Sequence, residues 1–324
     1  MTRRHLGRLL LAESVSASAC STASRETLAR LAAMCEAGDF AVFGAREVVD
    51  SNSDLAFSAI TVSGGDAGYL QLPDSYRRQM LSIAPDGAWA GWVPEGSLPD
   101  AYGQGGQPIV RLTNDPKSAR TLRYKGWYGL RLTLSSNAKD IALIMSDREG
   151  ARLTHRLVLL EQPTGDIAED LSSLVAGLDL RKVERLRLSS NARRLVIGWP
   201  DSFLVVDVPA RKLVFTGRGR FPCLSPSGEE LAFMDPGRKL VVVTLATGAR
   251  MAQPVNGKTY GVGSWTPDGS LLLAFVWTPL ALDAKLVAID CKVGRYCDIT
   301  RLDEWNLGQY CSLIKRTLLS PLPS

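Results

Sequence analysis

A tight turn between two apolar runs recurs along the chain and constrains its fold more than any other feature. The clearest copy occupies residues 224–233, where Ser225-Pro226-Ser227-Gly228 separates two apolar segments. Aligned on the third turn residue, the copies are anchored at Asp86, Asn137, Asn191, Ser227 and Asp268. The same offset, read backwards from the apolar residues 55–57, places a degenerate turn at Ser51.

The spacing of these anchors indicates the architecture. Successive anchors lie 35, 51, 54, 36 and 41 residues apart, and each interval contains several short apolar runs. Repeats of about 40 residues that hold several short strands are typical of propeller blades. We therefore predict an all-β fold, a β-propeller of four-stranded antiparallel blades, with six blades by this count and seven as the alternative. Residues 308–319 are expected to close the ring against strands near residues 40–49.

Turn chemistry accounts for the residue types at the anchors. Pro fixes φ at the first central position of a type I turn, and Asp or Asn tolerates the next conformation. Gly then adopts the positive φ that returns the chain to the following strand. Where Ala138 and Ala192 replace this Gly, either the turn is strained or Asn adopts the left-handed conformation. We therefore assign the repeated Asp and Asn residues a structural role and predict no metal site.

The segment before the first predicted strand has two parts. Residues 1–23 are predicted to form a flexible basic tail, and residues 24–38 an amphipathic helix that Ser24 caps and Gly38 ends. Its apolar stripe consists of Leu28, Leu31, Ala32 and Cys35. Docking of this stripe on the propeller, expected over residues 39–324, is favoured over a partner-binding helix. A second short helix is predicted within residues 166–177, in an insertion.

Cysteine and histidine usage indicates no bound metal or cofactor. The six cysteines form no C-x-x-C pair and the chain has two histidines, which argues against zinc. Cys291 and Cys297 flank a predicted turn and would form a disulfide in one hairpin register, but we expect reduced cysteines and a cytoplasmic location. The alternative is export to the periplasm, since Arg3-Arg4 precedes an apolar stretch, although Glu13 soon interrupts it. No run of 18 apolar residues exists, so no membrane span is predicted.

Residues 134–165 show the repeat in its fullest form. From residue 134 they read Leu-Ser-Ser-Asn-Ala-Lys-Asp-Ile-Ala-Leu-Ile-Met-Ser-Asp-Arg-Glu-Gly, and an apolar strand and Thr164-Gly165 follow. This resembles the WD40-like (PD40) repeat of TolB-type β-propellers, in which a blade reads roughly S-P-D-G-K-x-I-A-F-x-S-x-R-x-G. Residues 225–233 with 240–248 match as well, residues 265–275 match best around the turn, and the resemblance covers about residues 40–320. It implies the propeller fold and roles as a periplasmic scaffold, a non-catalytic peptidase domain or a stand-alone binder.

Catalytic signatures do not emerge from the sequence. It contains no G-x-S-x-G and no P-loop, and His155, the histidine outside the tail, lies on a predicted strand. The periplasmic TolB-type proteins carry a clear export signal, which we do not expect in residues 1–20. We therefore predict a protein that is not an enzyme and has no catalytic residues.

Basic residues are enriched just before each predicted innermost strand. In a propeller these connections gather at one mouth of the central channel. The six positions that lie 12 to 7 residues before each of the six anchors contain eight basic residues in 36 positions, whereas the whole chain has 38 in 324. Scattered surface charge is the alternative explanation. The candidate binding residues, basic and aromatic, are Arg77, Arg78, Lys125, Trp127, Tyr128, Lys182, Arg218, Arg220, Lys258 and Tyr260.

The predicted function is that of a protein–protein interaction scaffold whose partner, a protein with an acidic segment, binds at this mouth. The alternatives are an exported TolB-like envelope protein, and a small-ligand binder or low-turnover enzyme in the central channel. The formal charge of +5 is spread over the chain without a long Lys/Arg run. We therefore expect no nucleic acid as partner.

Overall fold

One α-helix precedes 24 β-strands in the described part of the chain. The structure, a computed structural model, describes residues 22–49, 55–62, 66–71, 81–92, 109–115, 118–123, 128–149, 152–161, 166–253, 255, 258–277, 284–301 and 311–320. The helix α1 spans Thr22–Ala37. It begins two residues before Ser24, so the prediction that Ser24 is the N-cap is wrong.

The strands form six four-stranded antiparallel sheets. The first contains β1 (Phe40–Val49), β2 (Leu55–Ile60) and β3 (Asp66–Gln71), with β24 (Cys311–Lys315) beside β1. The second contains β4 (Ser82–Ile83), β5 (Ala90–Trp92), β6 (Ile109–Asp115) and β7 (Ser118–Arg123). The third contains β8 (Tyr128–Leu134), β9 (Asp140–Glu149), β10 (Arg152–Glu161) and β11 (Ile167–Asp170).

The remaining sheets follow the same order. The fourth contains β12 (Arg185–Leu188), β13 (Arg194–Gly198), β14 (Ser202–Asp207) and β15 (Lys212–Arg218). The fifth contains β16 (Arg220–Leu224), β17 (Glu230–Met234), β18 (Leu240–Thr244) and β19 (Arg250–Ala252). The sixth contains β20 (Lys258–Trp265), β21 (Leu272–Trp277), β22 (Ala284–Asp290) and β23 (Arg295–Arg301). The innermost strands are β24, β4, β8, β12, β16 and β20, and contacts run from β4 through β8, β12, β16 and β20 to β24.

Apolar clusters join each sheet to the next around a closed ring. Described residues form six clusters, and each combines side chains from two neighbouring sheets. The last strand completes the ring: Leu313 packs in the cluster with the sixth sheet, and its neighbour Ile314 packs in the cluster with the second. In β24, Lys315 lies opposite Phe40 and Cys311 opposite Gly44. The propeller of four-stranded antiparallel blades is confirmed, as is its closure by the C-terminal segment.

The first repeat was aligned wrongly. Ser51 itself lies outside the described residues, but β2, which follows it, is the third strand of its sheet rather than the second. The reason is that β24 occupies the innermost position and β1 the second, so this sheet has no turn equivalent to the recurring one.

The helix predicted within residues 166–177 is wrong as well. Ile167–Asp170 forms β11, the outer partner of β10, and only a single 3-10 turn, Ser172–Val175, follows. The carboxylate of Asp170 accepts a hydrogen bond from the backbone amide of Ser172 at 2.9 Å, and Leu171 is fully buried. Strand pairing therefore outweighs the helical spacing of the apolar residues here.

The recurring turns lie at one end of the ring, which we call the turn end, and they bind one another. The amide of Ser136 donates to the carbonyl of Ser190 (3.1 Å), and the amide of Ser190 donates to that of Pro226 (2.9 Å). The amide of Lys315 donates to the carbonyl of Gly87 (2.8 Å). The turns thus link neighbouring blades, which supports their structural interpretation.

The helix α1 docks across the junction of the first and sixth sheets, as the apolar stripe predicts. Leu31 (0% exposed) and Cys35 (4% exposed) lie in the cluster that these sheets share. Arg30 forms an ion pair with Asp290, and Arg295 lies 2.8 Å from Glu26. No helix in the described ranges is both long and apolar enough to cross a membrane.

Candidate functional site

The predicted binding residues fall into three groups. Arg77, Arg78, Lys125 and Trp127 lie outside the described residues, and for Tyr128, Lys258 and Tyr260 only the strand position is described. The side chains of Lys182, Arg218 and Arg220 are described. All three lie at the end of the ring opposite the turn end, where the chain enters the innermost strands, which we call the entry end.

A groove of about 1280 Å³ opens at the entry end between the fourth and fifth sheets, and we call it the outer groove. Its floor is aromatic, because the rings of Phe203 and Phe233 lie there with their centres 4.7 Å apart. The two outermost strands, β15 and β19, provide its sides. Residues 177–182 provide a further wall, on which Leu178 is 45% exposed. The outer groove contains Lys182 and Arg218 but not Arg220.

The rim of the outer groove carries charges of both signs, whereas the sequence predicted a basic surface. The charged residues are Lys182, Arg218, Arg250, Asp179, Asp201 and Asp235. The guanidinium of Arg181 donates to the Asp179 carboxylate at 2.9 and 3.0 Å, and the ammonium of Lys182 lies 3.7 Å from it. These contacts, chiefly the hydrogen bonds from Arg181, lower the pKa of Asp179 to about 2. The negative charge of Asp179 is therefore already paired with cations of its own wall, Arg181 and Lys182.

The opposite side of the outer groove is more open to a ligand. The Asp235 carboxylate accepts a hydrogen bond from the Lys239 amide at 2.8 Å, and the Arg250 guanidinium lies 5.9 Å from the centre of the Phe215 ring. Arg218 is exposed and forms no ion pair with any described residue. Its guanidinium can therefore pair with an incoming carboxylate.

Arginines on the innermost strands of three consecutive sheets form a second assembly, which we call the inner arginine cluster. Its members are Arg131 on β8, Arg185 and Arg187 on β12, and Arg220 on β16. The Cζ atoms of Arg185 and Arg220 lie 5.3 and 5.2 Å from the centre of the Phe221 ring. Two guanidinium groups therefore contact one aromatic side chain, an arrangement that cation–π attraction stabilises.

The other contacts of the cluster tie it to the segment before β12. Nε of Arg131 donates to the carbonyl of Val183 at 2.8 Å, and Nη2 of Arg220 lies 3.9 Å from the carboxylate of Glu184. Burial lowers the pKa of Arg131, and the charge of Glu184 opposes this. Nε of Arg220 is buried and has no hydrogen-bond partner among the described residues. The cluster is therefore a partly desolvated concentration of positive charge.

Phe221, which joins two of these arginines, has a strained backbone. Its φ is 55°, in the left-handed region, and its side chain is buried (4% exposed). The pairing of β16 with β17 shifts register between Arg220 and Cys223. A left-handed conformation costs a bulky residue about 1–2 kcal/mol. The neighbouring structure must hold this conformation, and its result is a ring in contact with both guanidinium groups.

Three of the four cluster arginines were missed from the sequence. The windows before the anchors end at the seventh residue, whereas Arg131, Arg185 and Arg187 lie closer to their anchors. The alternation of Arg with Leu in residues 185–188 was a sequence signal that could have identified Arg185 and Arg187. Leu186 and Leu188 pack in the cluster between the third and fourth sheets, so the arginines between them face the other side of the strand.

Other reactive side chains in the described part of the chain do not converge. Burial and, less strongly, the charge of Arg181 lower the pKa of His155, which Asp179 opposes. Cys291 and Cys297 are free, and they pack in different apolar clusters on the two faces of the sixth sheet, so the disulfide alternative is wrong. The described ranges contain no group of three or more side chains suited to a metal ion.

Comparisons with known proteins identify the fold. No family model matches the chain, and no curated protein sequence matches it. Among solved structures, TolB from Acinetobacter baumannii is 12% identical with a TM-score of 0.51, over 79% of this chain and 62% of that one. This chain therefore matches less than two thirds of that TolB chain.

Two further structures are similar. A chain of the nidogen/laminin complex is 10% identical with a TM-score of 0.53, over 85% of this chain and 98% of that one. Hydrazine synthase from Kuenenia stuttgartiensis is 12% identical with a TM-score of 0.45, over 74% of this chain and 72% of that one. The first two likenesses agree with the sheet topology, and the chain is a β-propeller similar to TolB in fold.

Proposed function

We propose that this protein is a non-catalytic β-propeller that acts as a protein–protein interaction scaffold, with a segment of its partner bound in the outer groove. The observation that carries the proposal is the aromatic floor of Phe203 and Phe233 between two outermost strands. The volume of about 1280 Å³ exceeds the roughly 300–1,000 Å³ of sites for drug-sized molecules. It suits several residues of an extended peptide.

The groove also defines the chemistry of that peptide. An outermost strand such as β15 presents backbone groups to which an extended segment can add as a further strand. An apolar side chain of the segment would pack on the floor beside Leu178, and a carboxylate would pair with Arg218. The expected partner segment is therefore extended, with an apolar residue next to an acidic one.

The comparisons support a binding role in a general way. The nidogen/laminin structure is that of a complex between two proteins, and a propeller provides a rigid ring on which loops and edges are presented. For the location we propose the cytoplasm, which the free, buried cysteines among the described residues support. N-terminal sequencing of the mature protein tests this proposal, because export would remove the first residues.

Panning of a displayed random-peptide library against the purified protein tests the scaffold proposal. The test variant carries Lys182→Glu and Arg218→Glu in the outer groove. The control carries Lys212→Glu and Lys292→Glu, which are exposed at the turn end. Lys212 opens the same strand that Arg218 ends, so it controls for charge on β15.

Peptides selected with the wild type should contain an apolar residue beside Asp or Glu. Their affinity, measured by fluorescence anisotropy, should fall at least about tenfold in the test variant and stay unchanged in the control, because like charges placed together oppose binding. Selection of no peptide, or equal affinity for the test variant, would refute the proposed site.

A further inference from the structure

We propose that the inner arginine cluster binds a compact polyanion, a ligand with two or more negative charges in carboxylate or phosphate groups. The cluster uses none of the residues that line the outer groove. The inference is therefore independent of the proposed scaffold function.

The donor geometry of the cluster suits oxyanions. A guanidinium is planar, remains charged and donates paired hydrogen bonds to the oxygens of a carboxylate or phosphate. Nε of Arg220 is a buried donor without a partner in the described part of the chain, and its distance of 3.9 Å from Glu184 is too long for a hydrogen bond. The side chain of Arg220 is 40% exposed overall, so its guanidinium can turn toward a ligand oxygen that supplies the missing acceptor.

The spacing of the charges sets the size of the ligand. The guanidinium carbons of Arg185 and Arg220 stand no more than about 10.5 Å apart, since they lie 5.3 and 5.2 Å from one ring centre. Like charges within this distance repel each other, and salt screens them only in part because both side chains are half-buried. One anion with two charged groups can bridge both and remove the repulsion.

Burial favours a small ligand over a macromolecule. All four arginines are half-buried on the innermost strands, and the nearby Cys223 is buried, with a pKa that burial raises and that the charges of Arg187 and Arg185 partly lower. An extended acidic chain needs an exposed basic surface, whereas half-buried guanidinium groups suit a compact anion. The strained backbone of Phe221 is then explained, because it keeps two of the donors in place before the ligand arrives.

Thermal unfolding and titration calorimetry with two probes, inorganic pyrophosphate and citrate, test the proposal at constant ionic strength. The test variants are Arg185→Gln and Arg220→Gln, and the control is Lys212→Gln. Each effective probe should raise the unfolding midpoint of the wild type and of the control. Its affinity should fall at least about tenfold in each test variant, as expected for the loss of a charged hydrogen bond.

The ligand-free variants provide a second readout. Removal of one like charge relieves repulsion but also removes a cation–π contact with Phe221, so the unfolding midpoint should change little, whereas arginines with a purely structural role would lower it clearly on removal. If a Gln variant does not fold, Arg→Lys at the same position keeps the charge but loses the paired donors, and it should still weaken binding. Pyrophosphate alone, citrate alone or both as effective probes would each support the site and identify its anion class.

Two results would overturn the proposal. One is that neither probe raises the midpoint of the wild type. The other is that a probe raises it equally in wild type, test variants and control, because multivalent anions stabilise folded proteins in general by exclusion from their surface.

Discussion

At the scale of single residues, different residue types adopt the same left-handed backbone conformation at the equivalent position of the recurring turns. Gly228 has φ of 74° and Gly269 of 69°, while Ala192 has 56° at the equivalent position. Ala192 is 8% exposed and packs in an apolar cluster, so its buried methyl group offsets part of the strain. The room around a Cβ atom, and not φ alone, therefore decides which residue is tolerated.

Two glycine substitutions separate these effects. A Cβ at Gly269 would lie 3.5 Å from Pro226, an ordinary contact, whereas one at Gly228 would lie 2.8 Å from Cγ of Arg194. Arg194 is held by its ion pair with Asp207 and cannot move aside freely. Gly269→Ala should lower the free energy of unfolding by about 1 kcal/mol for the left-handed backbone, and Gly228→Ala by about 2–3 kcal/mol because overpacking adds to it.

Urea denaturation of the two variants beside the wild type measures these losses. Equal losses would show that the neighbours of Gly228 relax freely and that conformation alone decides its cost.

At the scale of elements, α1 packs against both the first and the sixth sheet and holds them together. It covers the apolar side chains at their junction and forms ion pairs through Arg30 and Glu26 with Asp290 and Arg295 of the sixth sheet. The helix ends where Gly38 allows the Phe40 ring to approach, since a Cβ there would lie 2.2 Å from that ring. The residue with left-handed φ is Asp39 (51°), one position later than the sequence predicted.

Leu31→Ala tests the contribution of this element. Leu31 is fully buried, so its truncation should lower the free energy of unfolding by about 3 kcal/mol. The exposed Arg25 on the same helix serves as the control, and Arg25→Ala should change it by no more than about 0.5 kcal/mol. Chemical denaturation of the purified protein measures both. If α1 instead served to bind a partner, Leu31→Ala would leave the stability of the isolated protein unchanged.

Sequence reasoning predicted the elements that repeat, the helix α1 and the closing C-terminal segment, and it missed features that depend on packing between neighbouring sheets. The recurring turns impose a regular spacing, which was enough to predict the four-stranded blades. The conformation of Phe221 has no such signal, because a register shift between Arg220 and Cys223 depends on packing against the neighbouring sheet. The outer groove could not be predicted either, since Phe203 and Phe233 come from different sheets that meet only in the ring.

At the scale of the whole molecule, one strand from the end of the sequence completes the first sheet. Leu313 and Ile314 point to opposite sides of β24 and so join the first sheet to the sixth and to the second. Without β24 both junctions lose apolar side chains, and the innermost edge of β1 is unpaired. The stability of the whole ring therefore depends on this short segment.

A chain ended after residue 310 should lose cooperative thermal unfolding and bind a dye for exposed apolar surface. A synthetic peptide of residues 311–320, added in excess, should restore the transition because it supplies the missing pairing and both apolar contacts. The same peptide with Leu313→Asp and Ile314→Asp is the control and should not restore it. An unaltered transition in the shortened chain would contradict this account.

The pairing of β1 with β24 also imposes an order in time. On the ribosome, β1 emerges early and its partner strand emerges after all the other sheets have been made. At about 5–20 residues per second, a chain of 324 residues leaves the first sheet without its innermost strand for tens of seconds. During synthesis that sheet is an open edge beside uncovered apolar surface, the kind of surface that chaperones bind. The protein should therefore depend on chaperones more while it is being made than once its ring is closed.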